Sequence, residues 1–286
     1  MSWHRTSPFE NLIENIDLIS ESPSPGTPAL APKVGLFATC LVDLFRPQVG
    51  FAAVRLLEDA GCRVEVPIAQ TCCGQPAWNS GDAATTGAIA KRTIELFEPF
   101  DYVVAPSGSC AGMLREHYPR LFPESAIWRD RALKLAERTH ELLSFLTDIL
   151  EVKGVAVRLE ACATYHDSCS GLRELGIKSQ PRRLLESVKG LSLREMRDTD
   201  ACCGFGGTFC VKYPEISTRL VDDKCRNAAA TGAEMLLGGD LGCLLNIAGR
   251  LSRNRQPMRV MHAAEALAGM AGAGIGESPD KNEEKR

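Results

Sequence analysis

The sequence carries one cysteine pattern twice, and this repeat limits the folds that are open to the chain. In the first half, Cys40 lies 32 residues before the adjacent pair Cys72 and Cys73, and Cys110 lies 37 residues after that pair. In the second half the spacings are 33 and 40 residues, and the corresponding cysteines are Cys169, Cys202, Cys203 and Cys243. The offsets between the halves are 129, 130 and 133 residues. Ordered matches around a doublet indicate a duplication.

The two doublets favour ligands or redox chemistry over disulfide bonds. Neighbouring Cα atoms are about 3.8 Å apart, which is shorter than the usual disulfide range of about 4.4–6.8 Å. The chain has 12 cysteines in 286 residues, which is below the roughly 8–10% that is typical of small disulfide-rich proteins. In a reducing compartment such cysteines more often bind metal or act in catalysis.

Strand-like and helix-like segments alternate along both halves. The first half predicts strands at 33–39, 62–67 and 101–107, with helices at 47–61 and 85–97 and a long helical region at about 124–150. The second half predicts strands within 155–168 and at 191–196, 233–239 and 258–262, with helices at 181–188, 214–230 and 241–252. This alternation is typical of parallel α/β layers. We therefore expect an α/β fold made of two pseudo-repeated parallel-sheet lobes.

The composition suggests where these lobes begin and end. Residues 21–32 are rich in proline and serine, and the chain ends in a glycine-rich segment followed by charged residues. Both compositions favour flexibility. We expect a flexible leader at 1–32, a first domain at 33–150, a second domain at 151–270 and a disordered tail at 271–286.

The predicted topology brings the four cysteines of each half together. Each of them follows a predicted strand, and the carboxyl ends of parallel strands share one edge of a sheet, where ligands collect. Four thiolates suit either zinc or an iron–sulfur cluster. Structural zinc sites usually use cysteines separated by two to four residues, whereas adjacent strand residues point to opposite sides. The doublets therefore favour the larger target of a 4Fe–4S cluster, one or two per chain, with zinc or thiol redox chemistry as alternatives.

Three further residues are expected beside the sulfurs. Gly74 and Gly204 follow the doublets, so their N–H groups can donate to sulfur and help set a redox potential. His166 lies three residues before Cys169 and could donate to a cluster sulfur or carry a proton, the alternative being a histidine satisfied by backbone groups. Four cysteines without a counterpart in the other half are expected to be small buried hydrophobes, namely Cys62, Cys162, Cys210 and Cys225.

Charge and motifs exclude several classes of function. The net charge of −3 and pI of about 6.0 give no footprint for nucleic acid or an anionic membrane. There is no apolar run of about 18–20 residues and no secretory signal, so the expected compartment is the cytoplasm. The segments 204–209 and 272–276 do not meet the requirements of a dinucleotide-binding glycine motif. We predict a chain that relays electrons, and we assign no catalytic residue.

Both halves resemble the cysteine-rich, or CCG, domain of heterodisulfide reductase B subunits and of the iron–sulfur subunits of glycolate oxidase and anaerobic glycerol-3-phosphate dehydrogenase. Between about Lys33 and Leu267 the sequence is similar to the lactate-utilisation protein A family. The segments that carry this similarity are "TCLVDLFRPQVG", "QTCCGQPAWNSG", "PSGSCAGM", "YHDSC", "LRELGIKSQPRRLL", "CCGFGGTF" and "GCLLNIAGR".

The resemblance implies an iron–sulfur electron-transfer subunit of a complex that oxidises L-lactate to pyruvate. Its partners would be a ferredoxin-like iron–sulfur subunit and a third small subunit. The related alternative is a subunit for glycolate, glycerol-3-phosphate or heterodisulfide chemistry, and the alternative of another class is a zinc-stabilised binding module. The chain departs from the wider pattern, because Ser107 and Asp240 replace the first cysteine of the closing C-x-x-C, and Ser170 stands where close relatives are expected to have histidine.

Overall fold

Eight short strands form two parallel sheets of four strands each in the computed structural model, which describes residues 31–277. The strand order is β2-β1-β3-β4 in one sheet and β6-β5-β7-β8 in the other. The strands are β1 (Lys33–Leu36), β2 (Arg63–Glu65), β3 (Tyr102–Ala105), β4 (Thr139–Glu141), β5 (Arg158–His166), β6 (Lys189–Leu193), β7 (Met235–Gly238) and β8 (Arg259–His262).

Helices connect the strands and cover the sheets. In the first half they are α1 (Cys40–Phe45), α2 (Pro47–Asp59), α3 (Gln75–Trp78), α4 (Ala83–Phe97), α5 (Gly108–Gly112), α6 (Ala126–Glu137) and α7 (Leu142–Ser144). The second half has α8 (Cys169–Arg173), α9 (Ser179–Glu186), α10 (Phe209–Lys212), α11 (Pro214–Ala229), α12 (Leu241–Arg253) and α13 (Ala263–Leu267). Two π-helical segments (Met113–His117 and Phe145–Ile149) and one 3₁₀ turn (Tyr118–Leu121) extend the first-half helices.

The two sheets confirm the predicted α/β fold with two similar lobes. Strand order and direction are the same in both, and equivalent residues occupy the same register. Val34 pairs with Tyr102 in the first sheet, and Ala163 pairs with Met235 in the second. The offsets of these residues, 129 and 133, are those of the cysteines that follow the same strands. The duplication is therefore present in the structure as well as in the sequence.

The predicted helical region at 124–150 is wrong in its centre. Residues Thr139–Glu141 form β4, which pairs in parallel with β3 and divides the region into α6 and α7. A strand of three residues is too short to show the alternation of apolar and polar side chains that identifies strands. Its β conformation depends on the hydrogen bonds of the neighbouring strand.

The ends of the chain were predicted as a leader and a tail. Residues 1–30 and 278–286 lie outside the described residues, so most of both predictions lies there. Residues 271–277 are described, and they contact the first half. The Arg46 guanidinium donates to the carbonyl oxygens of Ala273 at 2.6 Å and Gly274 at 3.3 Å.

A central layer of helices joins the two lobes. Helix α2 of the first half packs on α13 of the second, and α7 of the first packs on α9 of the second. One apolar core runs through this layer and includes residues of both sheets, such as Leu36, Val104, Ala163 and Leu237. Because each lobe covers part of its partner's core, the two lobes stabilise each other.

A second contact between the lobes, made by α5 and α8, lies close to the cysteines. Gly108 faces Gly171 so closely that a Cβ atom at Gly108 would lie 2.8 Å from the Gly171 Cα atom and 2.9 Å from Ser168 Oγ. Real Cβ atoms do not approach backbone this closely, so the two helices need glycine at this crossing.

We expect Gly108→Ala to lower the free energy of unfolding by roughly 1–3 kcal/mol, because the added methyl group overpacks the crossing of α5 and α8. Urea unfolding of the purified protein measures this. The matched control is Gly249→Ala in α12, where a Cβ atom would meet nothing within 4 Å. This variant should raise the free energy of unfolding by roughly 0.5–1 kcal/mol, because alanine has a higher helix propensity than glycine. A Gly108→Ala protein as stable as the control would contradict the close contact.

Candidate metal centre

The four cysteines of the first half converge on one cavity of about 230 Å³. Cys40 begins α1, the doublet lies in the loop between β2 and α3, and Cys110 lies in α5. Cys72 lies close enough to Cys40 and Cys73 for these thiols to shift one another's pKa, and Cys110 lies close enough to Cys73 to raise the pKa of Cys73. The four sulfur atoms thus form one contiguous group, which we call the first site.

The second half repeats this arrangement around a cavity of about 270 Å³. Cys169 begins α8, the doublet precedes α10, and Cys243 lies in the first turn of α12. Cys202 lies close enough to Cys169 and Cys203, and Cys203 close enough to Cys243, for these thiols to shift one another's pKa. We call this group the second site. The structure therefore brings all eight cysteines that were predicted as ligands into two quartets.

One cysteine of each quartet has a thiol pKa below its ordinary value. Hydrogen bonds from Cys40 and then Cys73 hold the pKa of Cys72 well below its ordinary value, and the Gly74 N–H adds a further donor at 3.5 Å. In the second site, Cys169 and Cys203 lower the pKa of Cys202 in the same way, and the Gly204 N–H donates at 3.3 Å. The same contacts raise the pKa of Cys40 and Cys73 in the first site and of Cys169 and Cys203 in the second. Each quartet therefore favours one thiolate, which is the form of cysteine that binds metal.

The doublet of the second site depends on glycine at the next position. Gly204 has φ of +82°, and a Cβ atom there would lie 2.6 Å from the carbonyl oxygen of Ser217. The Ser217 hydroxyl in turn donates to the Gly204 carbonyl at 2.8 Å. Only glycine allows the backbone to turn here and to direct its N–H at a sulfur.

The residues present fit an iron–sulfur cluster at each site. Four sulfur ligands and a backbone N–H donor to sulfur are the groups that hold and tune such clusters. Four thiol donors also suit a single zinc ion, so the donor atoms fit both kinds of metal centre.

His166 lies at the end of β5 and faces the second site. It is 1% exposed, and no described residue hydrogen-bonds to either of its ring nitrogens. One ring nitrogen and the Sγ atoms of Cys203 and Cys243 all lie within 4.8 Å of one another. Burial, and then the charge of Lys224, lowers the pKa of His166 to about 3. The histidine is therefore not satisfied by backbone groups, the alternative considered from the sequence.

Sequence reasoning did not identify Lys224 as part of the site. Its side chain enters from α11 and is 1% exposed, and Nζ donates to the carbonyl oxygens of Asp198 at 2.6 Å and Thr199 at 3.0 Å. These carbonyls belong to the loop that leads into the second doublet. A lysine at a buried position of an amphipathic helix was the available signal, because lysine is rarely buried without a specific partner.

Ser107 and Asp240, the two residues that replace cysteine, contact each other across the lobe boundary. The Ser107 hydroxyl donates to Asp240 Oδ2 at 3.0 Å, and the Ser109 N–H donates to the same oxygen at 2.9 Å. Asp240 Oδ1 accepts from the Gly242 N–H at 3.2 Å. Because Ser109 and Gly242 directly precede Cys110 and Cys243, one carboxylate connects a ligand segment of each site. Asp240 also lines both cavities, which therefore adjoin.

The other four cysteines do not line either cavity. Cys62 lies in the core shared by the lobes, and Cys225 lies in the core of the second lobe. The expected burial is wrong for Cys162 and Cys210, which are half-buried, and the Cys210 thiol donates to the Gly207 carbonyl at 3.4 Å.

We expect Asp240→Ala to lower the free energy of unfolding by roughly 2–4 kcal/mol, because it removes a helix cap and leaves buried donors of the first lobe unpaired. The control is Ser125→Ala, which removes an N-cap that accepts only from the Trp128 N–H of its own helix and should lower it by about 1 kcal/mol. Urea unfolding compares the two. If both variants lose the same free energy of unfolding, Asp240 acts only as a helix cap.

Comparison with known proteins identifies the repeat. The family described as "Cysteine-rich domain" (CCG) matches residues 34–115 and 163–248. These two segments contain all eight cysteines of the two sites.

The chain is also similar over most of its length to curated proteins named lactate utilization protein A. The protein from Halalkalibacterium halodurans is 51% identical over 235 residues, covering 82% of this chain and 96% of that protein. The protein from Bacillus subtilis is 50% identical over 235 residues, covering 82% of this chain and 98% of that protein.

Among solved structures, a hypothetical protein from Helicobacter pylori has a similar fold. The TM-score is 0.59 at 11% sequence identity, and the match covers 88% of this chain and 50% of that one. At this identity the similarity concerns the fold alone. Within residues 31–277, no helix is long and apolar enough to cross a membrane.

Proposed function

Since the chain belongs to the CCG cysteine-rich domain family, and within it to the lactate utilization protein A family, we propose that it is the iron–sulfur electron-transfer subunit of a complex that oxidises L-lactate to pyruvate. The proposal is supported by one observation above all. Each half of the chain gathers four cysteines, from three separate loops and helices, around one cavity, and a backbone N–H points at a sulfur in each.

The eight cysteines would hold one cluster at each site. Cys40, Cys72, Cys73 and Cys110 would ligate the first, and Cys169, Cys202, Cys203 and Cys243 the second. Bound iron–sulfur clusters supply one-electron transfer. The protein contributes the ligand positions and the N–H groups of Gly74 and Gly204. Four of the cysteines are buried, two in each quartet. Water can therefore reach each site only from the side of its two half-buried cysteines.

The overall reaction sets what the chain must do. Conversion of L-lactate to pyruvate breaks one C–H and one O–H bond and releases two electrons and two protons. We assign this chain the relay of these electrons, one at a time, to or from a ferredoxin-like iron–sulfur partner subunit, with a third small subunit completing the complex. Twelve free cysteines suit the reducing cytoplasm, where we place the protein.

Purification without oxygen, followed by iron and sulfide analysis, tests the ligand sets. We expect Cys73→Ser and Cys203→Ser each to lose about half of the bound iron, because each variant removes a buried ligand of one site only. Cys62→Ser is the control and should retain all of it, because Cys62 packs in an apolar core away from both cavities. Equal iron content in the three variants would contradict the assignment, and a colourless protein that contains only zinc would replace it with a zinc-stabilised binding module.

The substrate is tested separately in cells. A strain that lacks this chain should fail to grow on L-lactate and should grow normally on glycolate or glycerol-3-phosphate. The opposite result would assign the same relay to one of those substrates.

A further inference from the structure

The two halves differ at two buried positions beside the cysteines. The first lies at the end of the strand that precedes Cys40 in one half and Cys169 in the other. The offset of 129 that relates these cysteines also relates Phe37 to His166. Both side chains are buried. A hydrocarbon ring in the first half thus corresponds to an imidazole in the second.

The second difference lies on the helix that packs against each doublet. The buried residues of α4 and α11 correspond at a constant offset of 131. The pairs are Thr86 with Ser217, Ala90 with Val221, Thr93 with Lys224, Ile94 with Cys225 and Phe97 with Ala228. Four of these pairs are uncharged in both halves. The remaining one replaces a threonine with a lysine.

Lys224 adds a positive charge beneath the second site. Its two hydrogen bonds run to carbonyl oxygens, which leave the charge of the ammonium group in place. Burial lowers the pKa of Lys224, and the charges of Cys203, Asp167, Asp200 and Cys169 oppose this lowering. At the first site the equivalent Thr93 hydroxyl donates to the Ile89 carbonyl and contributes no charge.

The negative groups nearby are paired or exposed, whereas the ammonium group of Lys224 is buried. Asp167 is paired with the Arg182 guanidinium at 2.9 Å. Glu174, which lines the second cavity, and Asp200 are both exposed, so water screens their charges more than that of Lys224. Asp240 lines both cavities and so acts on both sites. Among the described residues that line the first cavity, Asp240 is the only carboxylate, and no lysine, arginine or histidine is present.

From this asymmetry, and resting on the function proposed above, we infer that His166 and Lys224 give the second site a higher reduction potential than the first, so that electrons pass from the first site to the second. Reduction adds negative charge to a cluster, and a buried cation or an N–H donor directed at the sulfurs stabilises that charge. The first site offers Phe37 and Thr93 instead. Two sites with the same sulfur ligands therefore become electron donor and acceptor through their surroundings.

Redox titration of the anaerobically purified protein, followed by paramagnetic resonance, tests this inference. We expect two couples in the unmodified chain. Cys203→Ser should remove the couple of higher potential, and Cys73→Ser the couple of lower potential. This pair of variants assigns each potential to its site.

Exchange of the differing residues then tests their role. We expect Lys224→Thr and His166→Phe, which introduce the residues of the first half, each to lower the potential of the second site. The reduced-to-oxidised ratio at a fixed solution potential should fall at least tenfold, which is 59 mV for a one-electron couple. The first site should not change. Phe37→His should shift the potential of the first site upwards, and Lys134→Thr, at an exposed lysine of α6, should change neither.

The outcomes separate this inference from the proposed function. A chain without iron would overturn both. Full iron content with unchanged potentials in Lys224→Thr and His166→Phe would overturn the inference alone, as would a higher potential at the first site. If either variant loses iron, Lys224→Met and His166→Gln, which keep the side-chain volume more closely, replace them, and unchanged potentials in these variants overturn the inference equally.

Discussion

The cysteine sites depend on the parallel direction of the strands in each sheet. Parallel strands place the ends of β1, β2 and β3 at one edge, and the segments that leave this edge carry the four cysteines of the first half. The second sheet does the same with β5, β6 and β7. Reversal of a single strand would move its cysteine to the opposite edge. The hydrogen-bonded register of short strands thus fixes the convergence of residues that are up to 74 positions apart in the sequence, from Cys169 to Cys243.

The arrangement of the two lobes adds a second constraint. Each lobe contributes helices to a shared apolar core, and this core holds the carboxyl edges of the two sheets close to each other. Asp240 then accepts hydrogen bonds from both lobes at the point where the two cavities adjoin. The bonds are buried, where an unpaired donor or acceptor destabilises a protein by roughly 1–3 kcal/mol. The relative position of the two quartets is therefore fixed by packing and by a polar contact that tolerates little displacement.

Much of this fold could be predicted from the sequence, because the cysteine offsets align the two halves and the strand–helix alternation indicates parallel sheets. The strand Thr139–Glu141 could not, because three residues carry no readable pattern. The ligand set of eight cysteines stays a prediction, although the structure brings them into two quartets. Lys224 escaped notice since a single lysine within a helical pattern is normally exposed. Alignment of the buried faces of α4 and α11 shows that this lysine has an uncharged counterpart, Thr93, in the first half.

The duplication also explains why the informative positions are those at which the halves disagree. The sulfur positions and the glycine after each doublet are common to both lobes, so they provide binding without distinguishing the sites. Differences at Phe37 and His166, and at Thr93 and Lys224, occur in side chains that are buried in both halves. A buried lysine or an unpartnered imidazole is unfavourable in an apolar core unless a nearby negative charge compensates for it. Thiolates and the cluster that they would bind supply that charge at the second site, which gives a physical reason for both polar residues to lie there.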